Sequence, residues 1–225
     1  AKGYRDYREM LEKEKDNYDA VSIATPDHHH YPAAIQAMKL GKHVYCEKPL
    51  THTVWEARQL GIARDKYKLA TQMGNQGHSN EGNRLMVEWI QQGALGKISE
   101  VHCWTNRPVW PQPVANPKKA DPIPGSIDWD VYVGPAPKTQ LYKKGVYPFK
   151  WRGFWNFGAG ALGDMGCHTM DAFFWAMDPG APTSVECVKK SEMIDGNFPK
   201  SSVVKMKFPA RDGRPCLLYT SPSPR

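Results

Sequence analysis

Apolar runs and amphipathic segments alternate along the first 75 residues of this chain. Residues 18–25 form a strand-like apolar run that stops at Pro26, and residues 44–46 form a second, shorter run. Between them, residues 30–40 carry apolar side chains at helical spacing, and Gly41 follows where a helix would stop. This order predicts a strand, a crossover helix and a second strand parallel to the first.

The alternation continues with a predicted helix at 51–67 and a strand at 68–73, which indicates a doubly wound sheet. Beyond residue 78 the pattern changes to longer loops and well-separated strands. The other predicted elements are a surface helix at 7–15, a helix at 79–93, a strand at 97–105, a proline-rich loop at 108–127, a glycine-rich entry into a helix over 158–177, and strands at 183–194 and 202–208.

An acid, a base and a proline follow the second strand directly, as Glu47, Lys48 and Pro49. Proline has no N–H and cannot continue a central strand, so these residues are predicted at the strand's carboxyl end. Open α/β sheets bind their ligands at that end, and a lysine there is a compact positive charge. The tripeptide alone is equally compatible with an ion pair in a surface turn.

A second pair of chemically useful residues lies more than a hundred positions further on. Asp164 and His168 are four residues apart in a predicted helix and therefore share one face. A histidine titrates near neutral pH, which suits a general base, and the aspartate could orient it or bind a substrate hydroxyl. The alternative is that Asp164 caps the helix and His168 is a hydrogen-bonded core residue.

Three segments together resemble the Gfo/Idh/MocA family of NAD(P)-dependent oxidoreductases. They are Ala-Thr-Pro-Asp-His-His-His at 24–30, the Glu-Lys-Pro stretch at 42–49, and Asp-x-Gly-x-His within 161–168, in the family's order. The resemblance covers roughly residues 1–210. It implies an α/β fold: a partial Rossmann doubly wound parallel sheet, followed by an α+β domain with a mostly antiparallel sheet. It also implies NAD or NADP as cofactor and a small-molecule sugar or polyol as substrate.

The resemblance implies a role for individual residues. The catalytic residues would be His168 as base, Asp164 as its orienting acid and Lys48 as the cation that steadies the developing alkoxide, all three in one cleft. Asp27 stands where the family often has asparagine. The expected cofactor contacts are Thr25, Pro26, Asp27, His30, Glu47 and Lys48. The expected substrate contacts are Asn75, Gln76 and Arg152; the amides of the first two suit sugar hydroxyls because they both donate and accept.

The expected domains are the C-terminal part of an NAD(P)-binding Rossmann domain at 1–78 and an incomplete substrate domain at 79–212. Residues 213–225 are expected to be a disordered or artefactual tail, because they hold Ser-Pro repeats without periodicity. The chain opens inside what would be the family's third βα turn. We therefore expect a fragment that lacks on the order of 50–70 residues, including the glycine-rich phosphate-binding turn, and that binds NAD(H) poorly by itself.

Composition narrows the remaining possibilities. The net charge is +7, from 30 basic and 23 acidic residues that are interspersed, so no nucleic-acid partner is expected. No apolar stretch reaches the length of a membrane span. Five widely spaced cysteines argue against a disulfide framework, and three consecutive histidines at 28–30 cannot easily converge on one ion, so no metal is expected.

The expected function is oxidation of a secondary hydroxyl of a sugar or cyclitol by hydride transfer. Three alternatives stay open: an NAD-dependent glycosidase that uses transient oxidation on the same fold, a non-catalytic relative, and a fragment that is inactive alone. A cytoplasmic location is expected, with export to the periplasm as the alternative. The full-length form is expected to be a homo-oligomer that assembles through its C-terminal sheet.

Overall fold

The computed structural model describes residues 2–210 and 217–222. The chain divides into two compact units. Unit 1 comprises Ala1–Gly74 and Val114–Ala159, and unit 2 comprises Asn75–Pro113 and Gly160–Arg225. Residues 114–159, which the sequence analysis assigns to the second domain, thus pack with the first 74 residues.

The helices of the described residues are α1 (Tyr7–Lys13), α2 (Asp27–Lys39), α3 (Val54–Tyr67), α4 (Glu81–Gln91), α5 (Trp129–Val133), α6 (Gly160–Thr169) and α7 (Asp171–Met177), with short 3-10 helices at Gln76–Ser79 and Lys150–Gly153. The strands are β1 (Ala20–Ile23), β2 (His43–Glu47), β3 (Thr71–Gly74), β4 (Glu100–His102), β5 (Ser184–Lys190), β6 (Ser202–Phe208) and β7 (Leu217–Pro222). None of the helices in the described part of the chain combines the length and apolarity needed to cross a bilayer.

Unit 1 contains a three-stranded parallel sheet in the order β1-β2-β3. The helices α2 and α3 connect these strands, and small apolar residues such as Ala34 and Ala37, both fully buried, let α2 pack closely on the sheet. A second core in this unit is aromatic and includes Trp151, Phe154 and Phe157. The predicted strand–helix–strand order of parallel strands is confirmed.

Unit 2 contains a mixed four-stranded sheet in the order β4-β7-β6-β5. The β5–β6 and β6–β7 pairs are antiparallel, and β4 pairs with β7 in parallel. The hydrophobic core of this unit includes Val87 of α4, Phe173 of α7 and Phe208 of β6. The predicted fold class, a parallel Rossmann-type sheet followed by a mostly antiparallel one, is confirmed.

Strand β7 corrects the expectation of a disordered tail. Leu217–Pro222 pair with β6 on one side, and residues 218–220 pair with β4 on the other. Leucine, tyrosine and threonine favour extended structure. The proline is the last residue of the strand, so its lack of an N–H interrupts no further strand pairing. The other residues of that predicted tail, 213–216 and 223–225, lie outside the described residues.

Candidate functional site

The carboxyl ends of β1 and β2 in unit 1 carry the predicted cofactor residues. Thr25 and Pro26 follow β1, while Glu47 ends β2 and Lys48 follows it. The main-chain N–H of Lys48 donates to the carbonyl oxygen of Gly74 at 3.0 Å, which extends the β2–β3 pairing past the strand end. The Lys48 main chain is therefore fixed at the ligand-binding edge that parallel sheets provide.

His30 sits directly beneath this edge, in the first turns of α2. Its Nδ1 lies 2.6 Å from the carbonyl oxygen of Pro49, and its Nε2 lies 2.8 Å from the carbonyl oxygen of Thr25. The side chain is only 1% exposed. Both ring nitrogens thus face the protein's own main chain, although the sequence analysis assigns His30 to the cofactor.

Asp27 is buried at the start of α2, and its carboxylate also binds the main chain. Its Oδ2 accepts the N–H of Ala159 at 3.0 Å, and the main-chain N–H of neighbouring His28 donates to the carbonyl of Phe157 at 3.2 Å. An acid in the first turn of a helix is stabilised by the helix dipole. An asparagine here could accept the same bond, so this contact is compatible with either residue.

His28 and His29 share one acceptor. The Nε2 of each ring lies 2.9 Å from the carbonyl oxygen of Tyr132, whose two lone pairs can accept both N–H groups. Burial lowers the pKa of His28 to about 3 and also lowers the pKa of His29. Both rings are therefore neutral near pH 7 and fasten α2 to α5.

One buried hydroxyl at the β1 end is left unsatisfied by the described part of the chain. Thr25 Oγ1 is inaccessible to solvent and makes no hydrogen bond with any described residue. A buried polar group left without a partner costs free energy, and such groups are uncommon in native structures. A polar atom of a bound ligand would satisfy it, so this edge fits the nicotinamide cofactor that the sequence predicts here.

The predicted base and its acid lie in unit 2, on α6. Asp164 and His168 are one turn apart and share one face of this helix, and Asp164 is 8% exposed whereas His168 is half-buried. Asn75 Nδ2 donates to the carbonyl oxygen of Cys167, the residue before His168, at 2.7 Å, so this predicted substrate residue is attached to the end of α6. Asn75 Oδ1 is buried without a hydrogen-bond partner among the described residues, so an acceptor remains for a ligand hydroxyl.

A second histidine–aspartate pair lies in unit 2, and its aspartate is not among the residues predicted from the sequence. His78 Nδ1 lies 3.0 Å from both carboxylate oxygens of Asp171, and the ring stacks on Trp175 with centroids 4.2 Å apart. The sequence prediction runs a single helix through this region. The structure breaks it at Met170, and Asp171 opens α7.

The remaining predicted residues lie as follows. Gln76 is exposed at the start of a 3-10 helix in unit 2. Arg152 belongs to unit 1, where its guanidinium lies 4.4 Å from the ring centre of Trp151 and packs on an aromatic surface. Lys48 belongs to unit 1, and Asp164 and His168 belong to unit 2, so the prediction that these three share one cleft stays a prediction.

Two glycines ahead of Asp164 are required by close packing. A Cβ at Gly160 would lie 2.5 Å from the ring of Phe198, and a Cβ at Gly158 would lie 2.7 Å from the main chain of Arg152. In each unit, the space beside the glycine is filled by protein.

Two sequence models of protein families match this chain. Residues 1–75 match the NAD-binding Rossmann fold of an oxidoreductase family, and residues 89–218 match the C-terminal alpha/beta domain of an oxidoreductase family. The two matches follow each other in the order that the sequence analysis predicts.

Curated relatives include oxidoreductases and a glycosidase. An uncharacterized oxidoreductase of Schizosaccharomyces pombe is 28% identical over 178 residues, which are 78% of this chain and 38% of that protein. Levoglucosan dehydrogenase of Pseudarthrobacter phenanthrenivorans is 28% identical over 67% of the chain and 31% of its own length. A glycosyl hydrolase family 109 protein of Shewanella is 37% identical over 41% of the chain and 20% of its own length. The chain spans less than half the length of these relatives.

Solved structures share the fold. GenD2 from gentamicin A biosynthesis, crystallised with NAD, superposes with a TM-score of 0.68 at 19% identity, over 99% of this chain and 52% of that one. An inositol dehydrogenase homologue of Azotobacter vinelandii, crystallised with NAD+, gives a TM-score of 0.67 at 21% identity, over 98% and 50%. Likeness at this level of identity establishes the architecture alone.

Proposed function

Because this chain belongs to the Gfo/Idh/MocA oxidoreductase family, we propose that its protein oxidises a secondary hydroxyl of a sugar or cyclitol with NAD or NADP. The family match and the parallel sheet account for the cofactor class. The choice of a polyhydroxylated substrate rests on the polar side chains of unit 2, which are considered next.

The Asp164–His168 pair is the observation that carries the proposal. A carboxylate that is almost fully buried lies one helical turn from a half-buried histidine on the same face of α6. The amide of Asn75 is held by the carbonyl of Cys167 and keeps an unused acceptor. A base, its orienting acid and an amide for hydroxyl groups are what alcohol oxidation on a sugar requires.

The residues divide the chemistry between them. His168 takes the hydroxyl proton at a ring nitrogen, and Asp164 orients the ring and stabilises the positive charge that results. The ammonium of Lys48 stabilises negative charge that develops on the substrate oxygen. When bound, the nicotinamide supplies the hydride acceptor. Thr25, Pro26, Glu47 and Lys48 at the sheet edge would hold it.

The test uses the full-length protein and measures cofactor reduction at 340 nm with NAD+ or NADP+ and a panel of sugars and cyclitols. We expect His168→Ala to lower kcat by about 10²–10⁴, the usual share of a general base. Asp164→Asn should lower kcat less, because the base itself, His168, is still present in this variant. His102→Ala, an exposed histidine on β4 of the same unit, is the matched control and should leave kcat unchanged. Normal turnover of His168→Ala would refute the assignment.

A second candidate function is an NAD-dependent glycosidase. The similarity to the Shewanella glycosyl hydrolase family 109 protein, 37% identity over 93 residues, favours it specifically. Such an enzyme would release a sugar from a glycoside with no net accumulation of NADH. Chromogenic glycosides assayed with catalytic NAD+ separate the two functions, because only the glycosidase liberates the chromophore while absorbance from NADH stays flat.

A further inference from the structure

We propose that His30 is a positioning residue that sets the location of Lys48 by donating its Nδ1–H to the Pro49 carbonyl, which fastens the segment of Lys48 to helix α2. The inference rests on the proposed function, because Lys48 matters to turnover only if the protein is an oxidoreductase. It differs from the role that the sequence predicts for His30, which was direct contact with the cofactor.

Both ring nitrogens of His30 are within hydrogen-bond distance of main-chain carbonyl oxygens. Its two ring nitrogens lie 2.6 Å from the Pro49 oxygen and 2.8 Å from the Thr25 oxygen, and 1% of the side chain is exposed. Both carbonyls belong to loops that leave the carboxyl ends of the parallel strands. The imidazole therefore lies between the β1 loop and the β2 loop, within reach of both carbonyls.

Lys48 lies between two main-chain anchors. The main-chain N–H of Lys48 donates to the carbonyl oxygen of Gly74 at 3.0 Å. The carbonyl oxygen of the next residue, Pro49, lies 2.6 Å from His30 Nδ1. If the second anchor is removed, the segment that carries the lysine loses its attachment to helix α2. A displacement of about 1 Å at a catalytic group can cost on the order of 10²-fold in rate.

The two contacts of the ring can be separated by substitution. Carbonyl oxygens only accept, and a neutral imidazole has one N–H, so one nitrogen donates at a time. Burial lowers the pKa of His30 although both carbonyls oppose that shift, so the neutral ring prevails. His30→Asn places an amide donor near the Nδ1 position, and His30→Gln places one near the Nε2 position. His30→Phe keeps a ring of similar volume and has no donor.

The neighbouring His29 provides a matched control. It is on the same helix and is 6% exposed, but its Nε2 faces the carbonyl of Tyr132 and not the loop of Lys48. The His29→Phe substitution therefore removes a buried imidazole of the same helix without touching either anchor of Lys48. An effect seen in both His30→Phe and His29→Phe would reflect a general loss of stability, whereas an effect seen in His30→Phe alone would reflect a change at Lys48.

The experiment reads Lys48 directly and then turnover. Lysines are labelled by reductive ¹³C-methylation, and the Lys48 resonance is assigned with Lys48→Arg. We expect the resonance to shift in His30→Phe and His30→Gln and to stay in place in His30→Asn and His29→Phe. In the 340 nm assay, kcat should fall about 10²-fold in the first two variants and recover in His30→Asn.

The outcomes separate the two proposals. An unmoved Lys48 resonance in His30→Phe, or a His30→Asn variant no better than His30→Phe, overturns the positioning role. A resonance that is retained in His30→Gln and lost in His30→Asn overturns it as well, because the Thr25 contact would then be the important one. Absence of dehydrogenase activity in the unsubstituted protein refutes the proposed function, while the resonance still tests whether His30 positions Lys48.

Discussion

The buried imidazole of His28 makes stability depend on pH. The side chain is 2% exposed, and burial lowers its pKa from 6.5 to about 3. His29 and His52 oppose its protonation further, while its contacts with the Tyr132 and Phe157 main chain favour it. Between pH 6.5 and 3 the unfolded chain binds a proton that the folded chain does not, so folding stability falls as the pH falls through this window.

We therefore predict that His28→Gln flattens the acid side of the stability profile. Glutamine does not titrate and can still donate to Tyr132. Lowering the pH from 6.5 to 4.5 should cost the unsubstituted chain about 2 kcal/mol more than the variant, from the linkage of one group with these two pKa values. Urea unfolding at the two pH values measures the difference. Parallel profiles for His28→Gln and the unsubstituted chain would contradict the assignment.

Candidate catalytic residues can be proposed from the sequence, but the main-chain atoms that bind side chains cannot. Lys48, Asp164 and His168 are candidates because their residue types and spacing suit acid–base chemistry, and their catalytic role stays a prediction. The carbonyl of Tyr132 that binds His28 lies 104 residues away, and no pattern in a single sequence encodes a main-chain acceptor at that distance. His30 was assigned to the cofactor for the same reason: its two acceptors are backbone atoms, which every residue carries.

At the scale of elements, periodicity predicted the interiors of helices and strands better than their ends. The strand β6 coincides with its prediction, Ser202–Phe208. Helix α2 begins three residues earlier than its apolar stripe, at Asp27, because Pro26 fixes the turn and the acid suits the first helical turn. The break at Met170 was missed because the apolar pattern continues from α6 into α7, and a change of direction leaves no trace in periodicity.

Helix α3 depends on a reciprocal cap at its start. Thr53 Oγ1 accepts the N–H of Glu56 at 3.2 Å, and Glu56 Oε2 accepts the N–H of Thr53 at 2.8 Å. Thr53 is exposed, so its truncation removes the cap with little loss of packing. We predict that Thr53→Ala lowers the free energy of unfolding by about 1 kcal/mol, whereas Thr53→Ser preserves it. Equal losses for the two variants in urea unfolding would show that the hydroxyl does not act as a cap.

At the scale of the molecule, the compact units do not follow the order of the chain. The family matches cover residues 1–75 and 89–218, one after the other in the chain. Unit 1 nevertheless recruits Val114–Ala159. A prediction from sequence assigns a segment to the same domain as its neighbours in the chain, whereas packing depends on which apolar surfaces meet. In unit 1, the aromatic core of residues 114–159 packs against helix α2.

Phe157 joins these distant segments and provides the test of this organisation. It is 0% exposed, its ring centre lies 4.8 Å from that of His28 and 5.7 Å from that of Tyr132, and its carbonyl accepts the N–H of His28 at 3.2 Å. Phe157→Ala should cost about 3–5 kcal/mol, as expected for a buried phenylalanine.

Hydrogen exchange should locate that loss. In Phe157→Ala we expect amides of α2 and α5 to lose protection together, although about a hundred residues separate them, because both pack on the deleted ring. Phe208→Ala removes an equally buried ring from the core of unit 2, and its larger losses should fall on β5 and β6. Unchanged protection of α2 in Phe157→Ala would mean that residues 114–159 are not part of the cooperative unit formed with the first 74 residues.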